Sequence, residues 1–149
     1  MRITLIHIGP HPTLKDGFEA LTASYLQRCS AFARCDLRAF KAEHAMLDWL
    51  DKRRGRVAAV AALCDSSGRQ LSSEAFAKWL GTRRDQGAQH LAFAVGPPDG
   101  WSEAARQRAG LLLSLGHLTL PHALARLVLA EQIYRAFTIL TGHPYHTGH

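Results

Sequence analysis

The sequence predicts an α/β fold, a mostly parallel β-sheet with helices on both faces, in a single domain over residues 1–149. Three observations carry that expectation. Strand-like and helix-like segments alternate along the chain, the order that βαβ units produce. Residues 57–63 and 91–95 are almost wholly small or apolar, as strands buried on both faces are. The apolar runs stop at turn residues: Gly9-Pro10, Asp65-Ser66-Ser67-Gly68 and Gly96-Pro97-Pro98-Asp99-Gly100.

Residues 2–8 read as the first strand. Leu14, Phe18, Leu21, Tyr25, Cys29 and Phe32 then recur every three or four positions, one helix face directed at a core. Residues 36–40 alternate and predict a second strand. Residues 42–54 place Met46, Leu47 and Leu50 at helical spacing and run into Lys52-Arg53-Arg54-Gly55-Arg56, cations that suit a helix C-terminus. After the strand at 57–63 and the turn at 65–68, Ser72 or Ser73 caps a helix with Glu74 in its first turn and Phe76, Trp79 and Leu80 on one side. The strand at 91–95 follows, then a short helix opened by Ser102-Glu103, a final strand at 111–115 and a loop at 116–121. A long helix over 123–140 ends at Gly142 and Pro144.

That last helix is apolar nearly all round. Leu127, Ala130, Tyr134 and Phe137 form one stripe, Leu129, Ile133, Ala136 and Leu140 the next, and Glu131, Arg135 and Thr138 a narrow polar strip. Such a helix must be covered on most sides, which predicts a subunit interface in a two-fold homodimer.

A composition 47% hydrophobic and 20% charged excludes wholesale disorder. No apolar run approaches the roughly 18 residues of a membrane span, and the opening residues do not resemble a secretory signal, so no membrane association is expected. The cysteines Cys29, Cys35 and Cys64 form no CxxC pair, which predicts a reducing, cytoplasmic setting and no thiolate zinc. Eighteen Lys and Arg against twelve Asp and Glu give +6, and a basic domain suits an anionic partner. Fourteen of those cations are Arg, whose fork fits phosphate. The expected basic surface is residues 52–56 with Arg83, Arg84, Arg106 and Arg108.

Neither G-x-G-x-x-G nor G-x-x-x-x-G-K-[ST] occurs, which disfavours the usual dinucleotide and P-loop sites. In open α/β sheets ligands bind beyond the carboxyl ends of the strands, which selects the loops after Leu63, Val95 and Leu115. In the second of these, Gly96 would let a ligand approach the backbone. Five of nine histidines lie at or after position 117: His117, His122, His143, His146 and His149. Pro144 breaks any helix that would align the last three, and no carboxylate lies beside them in sequence, so no metal site is expected. The tail 143–149 is either a frayed end or a mobile segment that closes on a ligand. Arg126 falls among apolar positions, so it reaches an anion, pairs across a dimer, or snorkels to water.

Leu113-Ser114-Leu115-Gly116-His117-Leu118-Thr119-Leu120-Pro121-His122, then Arg126, Glu131-Gln132-Ile133-Tyr134-Arg135-Ala136 and His143-Pro144-Tyr145-His146, resemble the RlmH family, the 23S rRNA pseudouridine-N3 methyltransferases of the SPOUT superfamily. The resemblance spans the chain and includes the helix start Leu71-Ser72-Ser73-Glu74-Ala75-Phe76-Ala77. It implies a homodimer with a C-terminal trefoil knot that binds S-adenosylmethionine and methylates a pseudouridine of large-subunit rRNA within the ribosome. Carried over by position, the cofactor contacts are Leu63, Gly96, Leu115, Gly116, His117, Leu118, Thr119 and Leu120. The catalytic candidates, unranked, are His122, Arg126, Arg135, Tyr145 and His146, with the tail closing over the reactants from its own or the partner subunit. The chain departs from the family at Pro97, where a second Gly is usual, at Gly116, where Ser is frequent, and in a short segment over 41–56. The competing function classes are a non-catalytic RNA-binding or ribosome-assembly protein on the same fold, and a small metal-dependent hydrolase using the His-rich tail.

Overall fold

A computed structural model describes residues 1–10, 17–52 and 57–147. The order is β1 (Arg2–Ile8), α1 (Phe18–Cys29), β2 (Arg34–Phe40), α2 (Glu43–Asp51), β3 (Val60–Gln70), α3 (Ser73–Asp85), β4 (His90–Val95), α4 (Glu103–Arg108), β5 (Leu111–Ser114) and α5 (His122–Thr141), with a 3-10 turn at Pro144–His146. The five strands form one sheet ordered β2-β1-β4-β3-β5, every pairing parallel. Leu14, residues 53–56 and His149 lie outside the described residues.

Alternation along the strands sorts the core into two layers. Ile3, Leu5, Leu91, Phe93 and Leu113 face α1, α3 and α5, where Leu26, Phe76, Leu80, Leu129, Ile133 and Phe137 meet them. Ile6, Ile8, Leu63, Ala92 and Ala94 face α2 and α4, against Met46, Leu50 and Ala105.

Two elements, α1 and β3, depart from the sequence reading. The buried face of α1 is Glu19, Thr22, Leu26 and Cys29, while Leu21 stays 52% exposed. The helix is rotated because Glu19 binds an arginine of α5. Val57 is exposed rather than buried in a strand. β3 begins at Val60 and does not end at the expected turn but runs on to Gln70. Ala62–Cys64 pair with Leu111–Leu113, the register shifts, and Arg69 and Gln70 pair with Leu113 and Ser114. Asp65-Ser66-Ser67-Gly68 is therefore a bulge in a continuous strand. Gly68 permits it, since a Cβ there would lie 2.6 Å from the Leu112 carbonyl.

α5 lies against α1 and α3 and reaches over β1 and β4. Ala125, Arg126, Leu129, Ala130, Ile133, Ala136, Phe137 and Thr138 are buried within one chain, so intramolecular packing alone covers much of the apolar helix. Leu124 and Leu127 remain half-buried along its outer side, while Tyr134 is half-buried against Tyr25, Phe32 and Tyr145.

Candidate active site

The carboxyl ends of β3, β4 and β5 converge on a cleft of about 770 Å³, within the roughly 300–1,000 Å³ range of small-molecule sites. Its lining comes from the bulge (Cys64, Asp65, Ser66, Ser67), the loop after β4 (Gly96 through Trp101), Arg106 of α4, the loop after β5 (Leu115 through Leu120) and His122 of α5. The three loops singled out by the sheet rule thus meet in one place.

Local physics shapes each wall. Trp101 is nearly buried and its indole Nε1 donates to the Cys64 carbonyl at 2.8 Å, tying the loop after β4 to β3. The ring lies so close over Gly96 that a Cβ there would sit 2.5 Å from it. Gly96 is required by this indole, a reason different from ligand approach. The loop turns back at Gly100, whose amide donates to the Pro97 carbonyl at 3.0 Å. In the bulge, the Ser67 amide and hydroxyl both donate to Asp65 Oδ1, at 2.8 and 2.7 Å. Arg106 adds a bond to Asp65 Oδ2 at 3.0 Å. Burial alone would raise the Asp65 carboxyl, but these bonds outweigh it and hold the group below its ordinary value. The third wall begins where the Gly116 amide donates to Ser114 Oγ at 3.2 Å. Gly116 has φ +124°, a conformation that residues with a Cβ rarely adopt. Gln70 Nε2 donates to His117 Nε2 at 3.1 Å, and Leu118 stands 84% exposed at the lip.

Of the expected cofactor contacts, Gly96, Leu115, Gly116, His117, Leu118, Thr119 and Leu120 line the cleft. The Leu63 side chain is buried on the α2 and α4 side instead, and its neighbour Cys64 takes the place on the wall. Of the expected catalytic residues, His122 lines the cleft. Arg126 is only 3% exposed; it donates through Nη2 to Glu19 Oε1 and through Nη1 to His7 Nδ1 at 2.6 Å. It therefore neither faces the cleft nor needs a partner subunit for its charge.

Arg135, Tyr145 and His146 gather at the other end of α5. Arg135 donates to Glu131 Oε1 from Nε and Nη2 at 3.0 and 2.8 Å. The Tyr145 hydroxyl donates to the same oxygen at 3.0 Å, and its ring lies 4.9 Å under the Arg135 guanidinium. Arg135 Nη1 donates to His146 Nδ1 at 3.0 Å, which leaves the ring proton on Nε2 to donate to Glu74 at 2.9 Å. Burial, with the bonds to Tyr25 and Glu131, pushes the Tyr145 phenol up, so it stays protonated. Residues 143–147 are thus neither frayed nor in the cleft of their own chain. Among the described residues no group of three or more His, Cys, Asp or Glu is arranged to hold a metal ion.

Three cations of the expected basic surface are paired with carboxylates, and residues 53–56 lie outside the described residues. Arg106 pairs with Asp65, Arg108 with Asp51 and Arg84 with Asp85, while Arg83 lies against Trp79. The cleft residues that the sequence reading missed are Trp101 and Arg106; it placed the loop after Leu63 at the cleft but as a turn rather than a bulge. The pattern of Gly96 and Trp101 within one loop was the available signal for the first.

A family model described as "Predicted SPOUT methyltransferase" matches residues 1–146. Ribosomal RNA large subunit methyltransferase H of Koribacter versatilis is 46% identical over 149 residues, 100% of each chain. The protein of the same name from Brucella anthropi is 56% identical over 84 residues, 56% of this chain and 52% of that one. Among solved structures, the SpoU methyltransferase AviRb from Streptomyces viridochromogenes, crystallised with the cofactor AdoMet, aligns at TM-score 0.51 over 93% of this chain and 61% of that one. At 13% identity that likeness speaks for the fold alone. Matched from its first strand to its tail, the chain belongs to the SPOUT methyltransferase family, alongside the relatives named ribosomal RNA large subunit methyltransferase H.

Proposed function

We propose that this chain transfers a methyl group from S-adenosylmethionine to N3 of a pseudouridine in 23S rRNA, as a homodimer acting on the ribosome in the cytoplasm. The observation that carries the reading is the cleft: seven of the eight residues expected to hold the cofactor, Gly96 and Leu115 through Leu120, line one cavity at the carboxyl edge of the sheet, with Cys64 in place of Leu63. The cavity suits this cofactor. Leu113, Leu115, Leu118 and Leu120 supply apolar wall for a purine, and the Asp99 carboxylate, with no ion-pair partner among the described residues, suits a cationic ligand. We also propose that the C-terminal half is threaded as a trefoil knot; the return of α5 from the edge strand β5 across β4 and β1 supports this.

When bound, S-adenosylmethionine supplies a methyl group already activated on a sulfonium. What remains for the protein is to position the acceptor, exclude water and take up the imide proton. His122 is the catalytic candidate in the cleft of its own chain and is our assignment for proton acceptance. Tyr145 and His146 are held by Glu131, Arg135 and Glu74, outside the cleft of their own chain. We therefore assign them to the cleft of the partner subunit, where the tyrosine hydroxyl can exchange its bond to Glu131 for one to a carbonyl oxygen of the base and Arg135 can face the anion that develops. The half-buried outer side of α5 is the surface assigned to the dimer.

Subunit mixing tests both assignments. A His122→Ala chain and a chain truncated after Gly142 are each expected to be inactive. Co-refolded, they should recover roughly a quarter of wild-type methylation, because half the dimers carry one complete composite site. No recovery would place the tail in its own cleft. Absence of methylated pseudouridine by mass mapping of rRNA would overturn the target.

A further inference from the structure

We infer that His7 is a positioning residue for the cleft: its neutral imidazole ties Arg126, and with it the opening turns of α5, to the Pro10 carbonyl beyond the end of β1. The inference rests on reading the cleft as the cofactor site.

Guanidinium has no lone pair to offer, so in the 2.6 Å contact Arg126 Nη1 donates and His7 Nδ1 accepts. The ring proton must then sit on Nε2, where it donates to the Pro10 carbonyl at 2.9 Å. Both ring nitrogens are used, and each bond requires the tautomer that the other requires. Glu19 of α1 accepts from Nη2 of the same guanidinium, so α1, α5 and the end of β1 are joined through one buried arginine. Arg126 Nε is itself buried without a partner, so the guanidinium depends on Glu19 and His7 for its bonds.

The cluster borders the cleft. His7 pairs in register with Val95, the last residue of β4 before the loop that walls the cavity. His122 stands four positions before Arg126 on α5, hence on the same helix face, and lines the cavity directly. Among the described residues, the charged and titratable groups facing His7 are Arg126 and His122 from α5 and Glu19 from α1. Its strand neighbours are the uncharged Ala39 and Val95. Protonation of His7 would place an N–H against the N–H of Arg126 and crowd a second cation into the cluster. Burial and the neighbouring Arg126 hold the imidazole below its ordinary value, so the accepting form is the resting one at neutral pH. Acidification then releases Arg126, and the wall from Leu115 to His122 loses its rear support.

The test uses the full chain and two readouts. The first is calorimetric titration with S-adenosylmethionine from about pH 8 to pH 5, for the wild type and for His7→Gln, which donates and accepts but does not titrate. The wild type should lose affinity on the acid side with a slope steeper than that of the variant, by up to about one proton, or up to tenfold per pH unit. Equal slopes overturn the inference. The second readout is nitrogen NMR of the His7 ring in the ligand-free wild type. The Nε2–H tautomer is expected, with protonation below the ordinary imidazole value and concurrent shifts of the Gly116 and His122 amides. An Nδ1–H tautomer, or protonation without those shifts, overturns it. If the wild type binds no S-adenosylmethionine even at about pH 8, the cofactor reading fails, and the NMR titration still decides the role of His7.

Discussion

The two ends of α5 carry the same kinds of residue in opposite states. At its N-terminal end, His122 stands on the wall of an open cleft with its ring available. At its C-terminal end, Arg135, Tyr145 and His146 are bound into a chain of side-chain bonds that runs from Glu131 to Glu74. Histidine, tyrosine and arginine next to one another do not make an open site within their own chain. What separates the ends is whether the polar groups are already satisfied within the same chain. A satisfied cluster stores residues in a defined geometry, and an open one receives a ligand.

The largest effect should come from the satisfied end. Removing residues 143–149 should lower methyl transfer by about 10²–10⁴-fold, while S-adenosylmethionine binding, measured by calorimetry, persists. Unchanged methyl transfer would remove the tail from the reaction.

Next is the arginine that joins the open end to the core. Glu19→Gln leaves the Arg126 guanidinium buried without its carboxylate and should cost about 3–5 kcal/mol in urea unfolding. A change under about 1 kcal/mol, the scale of exposed pairs, would mean that the charge reaches water. Gly96→Ala follows: the new methyl collides with the Trp101 indole, and overpacking of this kind costs about 1–3 kcal/mol. Tryptophan fluorescence should shift, and cofactor affinity should fall, since the indole anchors the loop to Cys64.

A smaller effect concerns pH. Burial, and the neighbouring Arg2, hold the His90 imidazole below 6.5. Its contribution to stability is therefore complete above 6.5 and is lost as pH falls from that value through the folded-state value. Asp36 behaves alike in a lower window. Burial would raise its carboxyl, but bonds from Arg2 and Thr4 hold it below 3.8, so its contribution is lost as pH falls below 3.8 through the folded-state value. Thermal melts should show two steps of destabilisation on acidification, and His90→Gln should soften the first more than the second, since, of Arg2, Thr4 and His90, His90 lowers Asp36 least. The smallest effect is Leu21→Ala on α1, expected within about 0.5 kcal/mol because the side chain is largely exposed. A larger loss seen only at high protein concentration would mark Leu21 as part of the dimer surface.

Much of this architecture was legible in the residues. The alternation of elements, the serine caps at Ser72 and Ser102, the stop at Gly142 and the strand-end position of the cleft follow from local signals with periods of two to four residues. The misreadings share one cause. Asp65-Ser66-Ser67-Gly68 has turn chemistry, yet it is held as a strand bulge by pairing with β5, some 45 residues on. The stripe from Phe18 to Tyr25 has the right spacing for a buried face, yet α1 turns Glu19 inward because Arg126, 107 residues away, is there to meet it.

The sequence alone determined where the strands and helices lie, that the sheet is parallel and which loops meet at its carboxyl edge, because those follow from periodicity, capping and the handedness of βαβ units. Only the tertiary structure decided which polar residues are open to a ligand and which are already satisfied, that Gly96 answers to an indole, and that Arg126 is held by Glu19 and His7. Those outcomes depend on partners distant in the chain, and the energy of a buried charge is set by its neighbours rather than by its own type.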